Sequence, residues 1–171
     1  DRFLLAKMES KDLLPAAPTD PRTFIRRLTF TPTVLPPTPE EVETFAKAAA
    51  TDFPAAVTAA TDRLLASPHF GEHWGRHWLD LMRYAETHGS EGDPEIREAW
   101  RYRDYIIRAL NADVPIDQLI REHLAGDLLP KPRINPDGFN ESILGTANLR
   151  LVEHGFQPVD TLDDQVKAID N

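Results

Sequence analysis

The sequence predicts an all-α fold, a single irregular multi-helix domain with Pro-rich connections. Two observations carry that expectation. Several of the fifteen prolines stand directly after a residue that caps helix N-termini, where the missing proline N–H costs nothing. Between those starts, apolar residues recur at three- and four-residue spacing, and alternating strand-like runs are nearly absent.

In chain order, Phe3, Leu4, Lys7 and Met8 suggest a first helix, ended by Pro15-Ala-Ala-Pro18. Asp20-Pro21 opens a second, with Phe24, Ile25 and Leu28 as its apolar stripe; it should stop before Pro32, which would break a helix interior. Thr38-Pro-Glu-Glu41 is a capping box opening a third, marked by Val42, Phe45 and Ala46. Phe53-Pro54, with Asp52 beside it, starts a fourth through Val57, Ala60, Leu64 and Leu65. Ser67-Pro68 starts a fifth, with Trp74, His77, Trp78, Leu81 and Ala85 along it, and Trp78, His77 and Leu81 are expected in the core. A sixth runs from about Glu95 to Leu110, with Tyr102, Ile106 and Ala109 on one face. Val114-Pro115 precedes a short helix from Ile116 to Leu124, stopped at Ala125-Gly126. Ile143, Leu144, Ala147 and Leu151 suggest another, and Thr161 with Asp164 resembles the cap of a last one. The whole, residues 1–171, reads as one helical module, with residues 1–18 as an N-terminal arm and residues 128–139 as a Pro-rich loop. Because the first residue is Asp1, it looks excised from a longer chain.

Composition narrows the function classes. A net charge of −9 argues against binding a phosphate backbone, which needs clustered Lys and Arg. Apolar runs are only a few residues long, so no membrane span is expected. The absence of cysteine excludes disulfides, thiolate metal sites, Cys nucleophiles and covalent haem attachment within these residues.

The densest feature is Ser67 to His88, which holds two of the three Trp and four of the six His. His73 and His77 lie four apart with Asp80 three further on, a feasible metal-ligand spacing. The Glu that a zincin motif needs after its first His is missing. The competing expectation is a buried, hydrogen-bonded His77 and an exposed His73. Glu72, Arg76, Asp80, Arg83 and Glu86 form a charged ladder, either a solvated face or a network bridging to the next helix. The turn from Glu86 to Glu95 is oxygen-rich, and Glu86, Glu91 and Asp93 make a weak Ca²⁺ candidate without an EF-hand pattern. Its carboxylates also permit a glycosidase-pair reading, for which the separation in space is decisive. Trp100 with Arg97, Arg101, Arg103 and Arg108 interleaves aromatic and basic residues, as sugar sites and cation–π packing both do. There is no Gly-rich phosphate loop and no nucleophile elbow.

Seven ordered blocks carry a family resemblance: Ile25-Arg-Arg-Leu-Thr-Phe30, Leu35-Pro-Pro-Thr-Pro-Glu-Glu-Val42, Asp62-Arg-Leu-Leu-Ala-Ser-Pro68, Arg76-His-Trp-Leu-Asp80, Arg83-Tyr-Ala85, Ala99-Trp-Arg-Tyr-Arg-Asp-Tyr105 and Leu124-Ala-Gly-Asp-Leu-Leu-Pro130. Together they resemble the planctomycete-type cytochrome-associated domain, domain of unknown function 1549. The chain departs from the family pattern at Thr31-Pro-Thr-Val34 and at His73, where Arg is common. The resemblance implies a periplasmic or otherwise exported multi-domain protein. Its partners would be a flanking cytochrome-type domain with c-type haem and a C-terminal uncharacterised domain of the same protein, with polysaccharide as a further partner. It supplies no catalytic residue.

Three functional expectations follow. The first is a non-catalytic helical module shaping a redox or polysaccharide-processing site, with His73, His77, Asp80, Arg83 and Glu86 as its candidate cluster. No cofactor or metal is expected in the fragment alone, although His77, His123 or Met82 could reach an axial position on a neighbouring haem. The second is a carbohydrate-binding or carbohydrate-active module using Trp74, Trp78, Trp100 and the acidic turn. The third is a purely structural or partner-binding helical domain.

Overall fold

A computed structural model describes residues 2–89 and 93–151, so the cap expected at Thr161 and Asp164 lies outside the described residues. The fold is all-α. Its elements are α1 (Arg2–Glu9), α2 (Pro21–Thr33), α3 (Pro39–Thr51), α4 (Phe53–Leu65), α5 (Pro68–Leu81), α6 (Trp100–Asn111), α7 (Ile116–Ala125) and α8 (Ser142–Gly145), with a 3₁₀ turn over Thr146–Arg150. Extended pairing among the described residues is limited to two isolated antiparallel bridges, Thr87 with Glu95 and Ile134 with Asn140. Of the described residues, those within 1–31 and 35–61 form one compact unit and those within 32–34 and 62–171 another.

In the first unit the core is Ile25 of α2, Phe45 of α3, and Ala56 and Ala60 of α4. Phe24, Phe45 and Phe53 form a ring cluster, with centroids 5.0 to 6.2 Å apart. Thr38 caps α3 as the capping box requires: its hydroxyl accepts from the Glu41 N–H, and Glu41 Oε2 accepts from the Thr38 N–H. Asp52 accepts from the Ala55 N–H at 3.0 Å and so holds the start of α4. Helix α1 buries no residue.

The second unit is built on α6, whose Tyr102, Tyr105, Ile106 and Ala109 are buried with Leu119 of α7. Trp78, Leu79 and Met82 pack against them. The α5–α6 contact is close because α5 presents glycines: a Cβ on Gly71 would lie 2.4 Å from the Ile107 carbonyl oxygen. Asn111 secures the same contact, accepting from the Gly71 N–H and donating to the Pro68 carbonyl.

Four sequence expectations need correction. Helix α2 runs through Pro32 to Thr33, because a proline in the last turn forfeits one hydrogen bond and does not interrupt a helix interior; Val34, at φ 58°, ends it. Helix α6 begins at Trp100 rather than near Glu95. The Ile96 N–H donates to the Glu86 carbonyl, and Glu95 pairs with Thr87, so Glu95 and Ile96 are extended and residues 97–99 turn into the helix. The segment around Ile143 to Leu151 is α8 followed by a 3₁₀ turn, not one helix. On α5, His77 is exposed and Leu81 is 68% exposed. The buried face is instead the Gly71/Gly75 side, continued by Trp78 and Met82.

Candidate functional site

Helix α7 places Glu122 and His123 side by side on its inner face, and both are buried. The Nδ1 of His123 lies 2.7 Å from the Leu119 carbonyl oxygen, and its Nε2 lies 3.2 Å from the Trp78 indole nitrogen. A carbonyl only accepts and an indole N–H only donates. His123 is therefore the neutral imidazole with its proton on Nδ1. The Tyr102 hydroxyl, 2.7 Å away, donates to the same Nε2. Burial lowers the His123 pKa from its ordinary 6.5, outweighing the Leu119 hydrogen bond and the Glu122 charge, and burial likewise raises that of Tyr102.

Glu122 is the centre of a second, ionic cluster. Its Oε2 accepts from the Tyr105 hydroxyl at 2.6 Å and from Arg133 Nη2 at 2.9 Å. Its Oε1 accepts from Ser142 Oγ at 2.9 Å, Arg133 Nε at 3.2 Å and Gln118 Nε2 at 3.2 Å. Burial alone would raise its pKa, but the donors from Arg133, Tyr105, Gln118 and Ser142 outweigh that and hold it below the ordinary carboxylate value. Two glycines let the surrounding backbone close in. A Cβ on Gly126 would meet the Ser142 carbonyl oxygen at 1.8 Å, and one on Gly145 the Glu122 carbonyl oxygen at 2.5 Å.

The charges continue outward in alternating sign. Arg133 also stands 3.9 Å from the buried Glu141, which takes a two-pronged contact from Arg108 at 2.9 and 3.3 Å. Arg108 then reaches a half-open cleft of about 450 Å³ lined by Trp100, Phe139, Ile143 and Asn140 among others. The Pro-rich loop thus does more than connect: Asn135 folds it into a turn, its side-chain oxygen accepting from the N–H of Asp137 and of Phe139, and that turn delivers Arg133 and Phe139.

The residues singled out in the sequence are differently placed. On α5, Phe70, His73, Trp74 and His77 form an aromatic group, half-buried at Phe70 and His73 and exposed at Trp74 and His77, the reverse of the burial expected for the two histidines, with the His73 and His77 rings 5.2 Å apart. His77, Asp80 and Arg83 line a second open cleft, which also holds Tyr84 and Arg103. Arg83 and Glu86 lie beyond the end of α5, so the ladder is not one helical face. Glu86 accepts from Tyr84 and Arg103, and burial, with that hydrogen bond, pushes the Tyr84 hydroxyl up to about 12. Asp93 accepts from the Gly89 N–H, while Glu91 lies outside the described residues. Glu86 and Asp93 therefore serve different partners. Trp78 is half-buried beside His123, and Trp74 and Trp100 are 40% and 47% exposed.

For a covalently held haem the chain offers no cysteine. Of the side chains considered as axial ligands, His123 has both nitrogens engaged, Met82 packs against the core, and His77 stands exposed on α5. Among the described residues, no three His, Asp or Glu side chains converge as metal ligands, and no helix is long and apolar enough to cross a membrane.

The buried Glu122–Arg133–Glu141–Arg108 chain was not anticipated from the sequence. The available signal was Glu122 standing three residues after Leu119, a charged side chain on an inward face. In comparisons with known proteins, the model of the PSCyt2 family, described as a protein of unknown function (DUF1549), matches residues 1–171. No curated protein and no solved structure matches the chain.

Proposed function

We propose that this chain, which belongs to the DUF1549 family, is a non-catalytic helical module that packs beside a c-type haem domain in an exported multi-domain protein. There it shapes a redox or polysaccharide-processing site. One observation carries the non-catalytic part: the buried Glu122 and His123 have their hydrogen-bonding positions filled from within the fold. Glu122 accepts five hydrogen bonds and His123 has both nitrogens occupied, and a general acid or base needs an open position toward substrate. Such a network rigidifies α6, α7 and α8 and leaves their outer surfaces for contact. The haem partner and the exported location rest on the ordered sequence blocks. A chain without cysteine leaves thioether attachment to a neighbouring domain.

Cross-linking of the intact exported protein tests this reading. Lys131, exposed on the turn that delivers Arg133, is expected to cross-link to the flanking haem domain. Cross-links from Lys131 that avoid that domain altogether, in a protein with its haem loaded, would overturn it.

A second reading, a carbohydrate-binding module, is favoured by a separate observation. Trp100 and Phe139, 47% and 64% exposed, line the same cleft.

A further inference from the structure

The geometry points to the cleft between the start of α6 and the 133–143 turn as a binding site for a neutral sugar ring of a glycan, stacked on Trp100. Such a site presupposes the carbohydrate reading and adds to it a location and a ligand class. It moves the recognition surface away from Trp74, Trp78, Glu86 and Asp93, none of which lines this cleft.

The walls are Trp100, Phe139 and Ile143, 47%, 64% and 47% accessible. The Arg101 guanidinium, paired with Glu98, stands over the Trp100 ring 5.4 Å from its centroid, so the sugar would take the other face of the indole. Between them stand three planar polar side chains with capacity to spare. Arg108 uses Nε and Nη2 on Glu141, leaving Nη1 with no partner among the described residues. Asn140 uses only its oxygen, on the Ile143 N–H, so its amide donors are open in the same sense. The Asp137 carboxylate likewise has no partner there, and it lines the same cleft. Donors and acceptors on flat side chains beside an indole suit a pyranose. Its C–H face lies on the ring, and its equatorial hydroxyls each donate to one neighbour and accept from another.

The alternatives fit less well. A wholly apolar ligand would cover Arg108, Asn140 and Asp137 and leave their polar groups unpaired and desolvated. An anionic ligand would meet Arg108 only beside the carboxylates of Asp137 and Glu141, and Arg101, the other cation of the lining, is already paired with Glu98. A neutral polyhydroxylated ring satisfies both signs of group. The volume of about 450 Å³ lies in the range of small-ligand sites. The cleft is also formed in advance: Glu141 holds Arg108, and Asn135 holds the backbone of Asp137 and Phe139. Little ordering would therefore oppose binding.

The test titrates the full chain with neutral gluco-, xylo- and manno-oligosaccharides and with acidic oligosaccharides, following calorimetry and the indole N–H resonances. Trp100→Ala, Phe139→Ala and Trp74→Ala are compared, each checked for an unchanged circular dichroism spectrum. At least one neutral series should bind and shift the Trp100 indole. Trp100→Ala should weaken it about tenfold, as loss of an aromatic stacking contact implies, with Phe139→Ala weakening it less and Trp74→Ala leaving it unchanged. Binding abolished by Trp74→Ala but indifferent to Trp100→Ala and Phe139→Ala would overturn this location while the carbohydrate reading stood. Binding of acidic oligosaccharides alone would overturn the ligand class. No binding by any series would overturn the site and the carbohydrate reading together.

Discussion

Glu122 shows how one buried charge organises its surroundings. A carboxylate with no exposed surface survives in a protein interior only when its charge is matched and its lone pairs are filled. Arg133 does the first, and with Tyr105, Ser142 and Gln118 the second. Arg133→Met, of similar length and without charge, leaves Glu122 buried and unmatched, so it should cost about 3–5 kcal/mol in denaturant unfolding. Tyr105→Phe removes one of five donors and should cost about 1–3 kcal/mol. A smaller loss for Arg133→Met than for Tyr105→Phe would mean that the ion pair is not what holds the cluster. The neighbouring glycine supplies an independent check. Since a Cβ on Gly126 meets backbone at 1.8 Å, Gly126→Ala must displace α7 from α8. It should cost at least the ~1–3 kcal/mol usual for overpacking, whereas Gly75→Ala, whose nearest neighbour is the Ile107 side chain at 3.3 Å, should cost clearly less. Equal melting temperatures for the two variants would contradict this account.

Helix boundaries are set by short-range chemistry, and there the sequence is informative. Thr38→Ala removes the hydroxyl that accepts from the Glu41 N–H and should lower stability by about 1 kcal/mol, measured by thermal melting; an unchanged melting point would show the α3 capping box to be dispensable. The same chemistry made the starts of α2, α3, α4 and α5 readable, because a cap and a following proline act within one turn. It failed at α6, where the Glu86 carbonyl captures the N–H of Ile96, ten residues further along the chain. Faces were harder to read than boundaries. On α7, Ile116, Ile120 and Leu124 form a clean apolar stripe at four-residue spacing, yet they are 60%, 47% and 59% exposed. The inward face carries Leu119, Glu122 and His123. On α5 the inward face begins with glycines, which add nothing to an apolar stripe. The buried network was illegible for a related reason. Arg108 and Glu141 are 33 residues apart, and Arg133 and Glu122 are 11 apart. Only tertiary folding makes their charges neighbours, and periodicity carries no term for that.

At the scale of the molecule, the two units differ in what their cores contain, and this difference gives a pH prediction. The core of Ile25, Phe45, Ala56 and Ala60 has a buried hydroxyl at Thr29 but, among the described residues, no buried ionisable side chain. The core around Tyr102, Tyr105 and Leu119 is lined by His123 and Glu122. Burial depresses the His123 pKa below its ordinary 6.5. The unfolded chain thus binds a proton at this imidazole that the folded chain refuses, and stability rises with pH across that interval. The contribution is fully present above about pH 6.5 and is lost as pH falls toward the folded pKa. A proton on Nε2 would also turn that atom into a donor facing the Trp78 indole N–H, which cannot accept, and would force the Tyr102 hydroxyl to turn from donor to acceptor. Glu122, held below its ordinary 4.5, adds a loss of the same sign at lower pH, so of these two groups it is His123 that acts between about pH 7.5 and 5.5. Hydrogen exchange at these two pH values, corrected for the intrinsic pH dependence of exchange, should show protection falling in α6 and α7 and unchanged in α3 and the Phe53–Thr61 part of α4. A uniform fall across all four helices would assign the acid sensitivity to something other than His123. No fall in α6 and α7 would mean that the imidazole accepts its proton without opening the core.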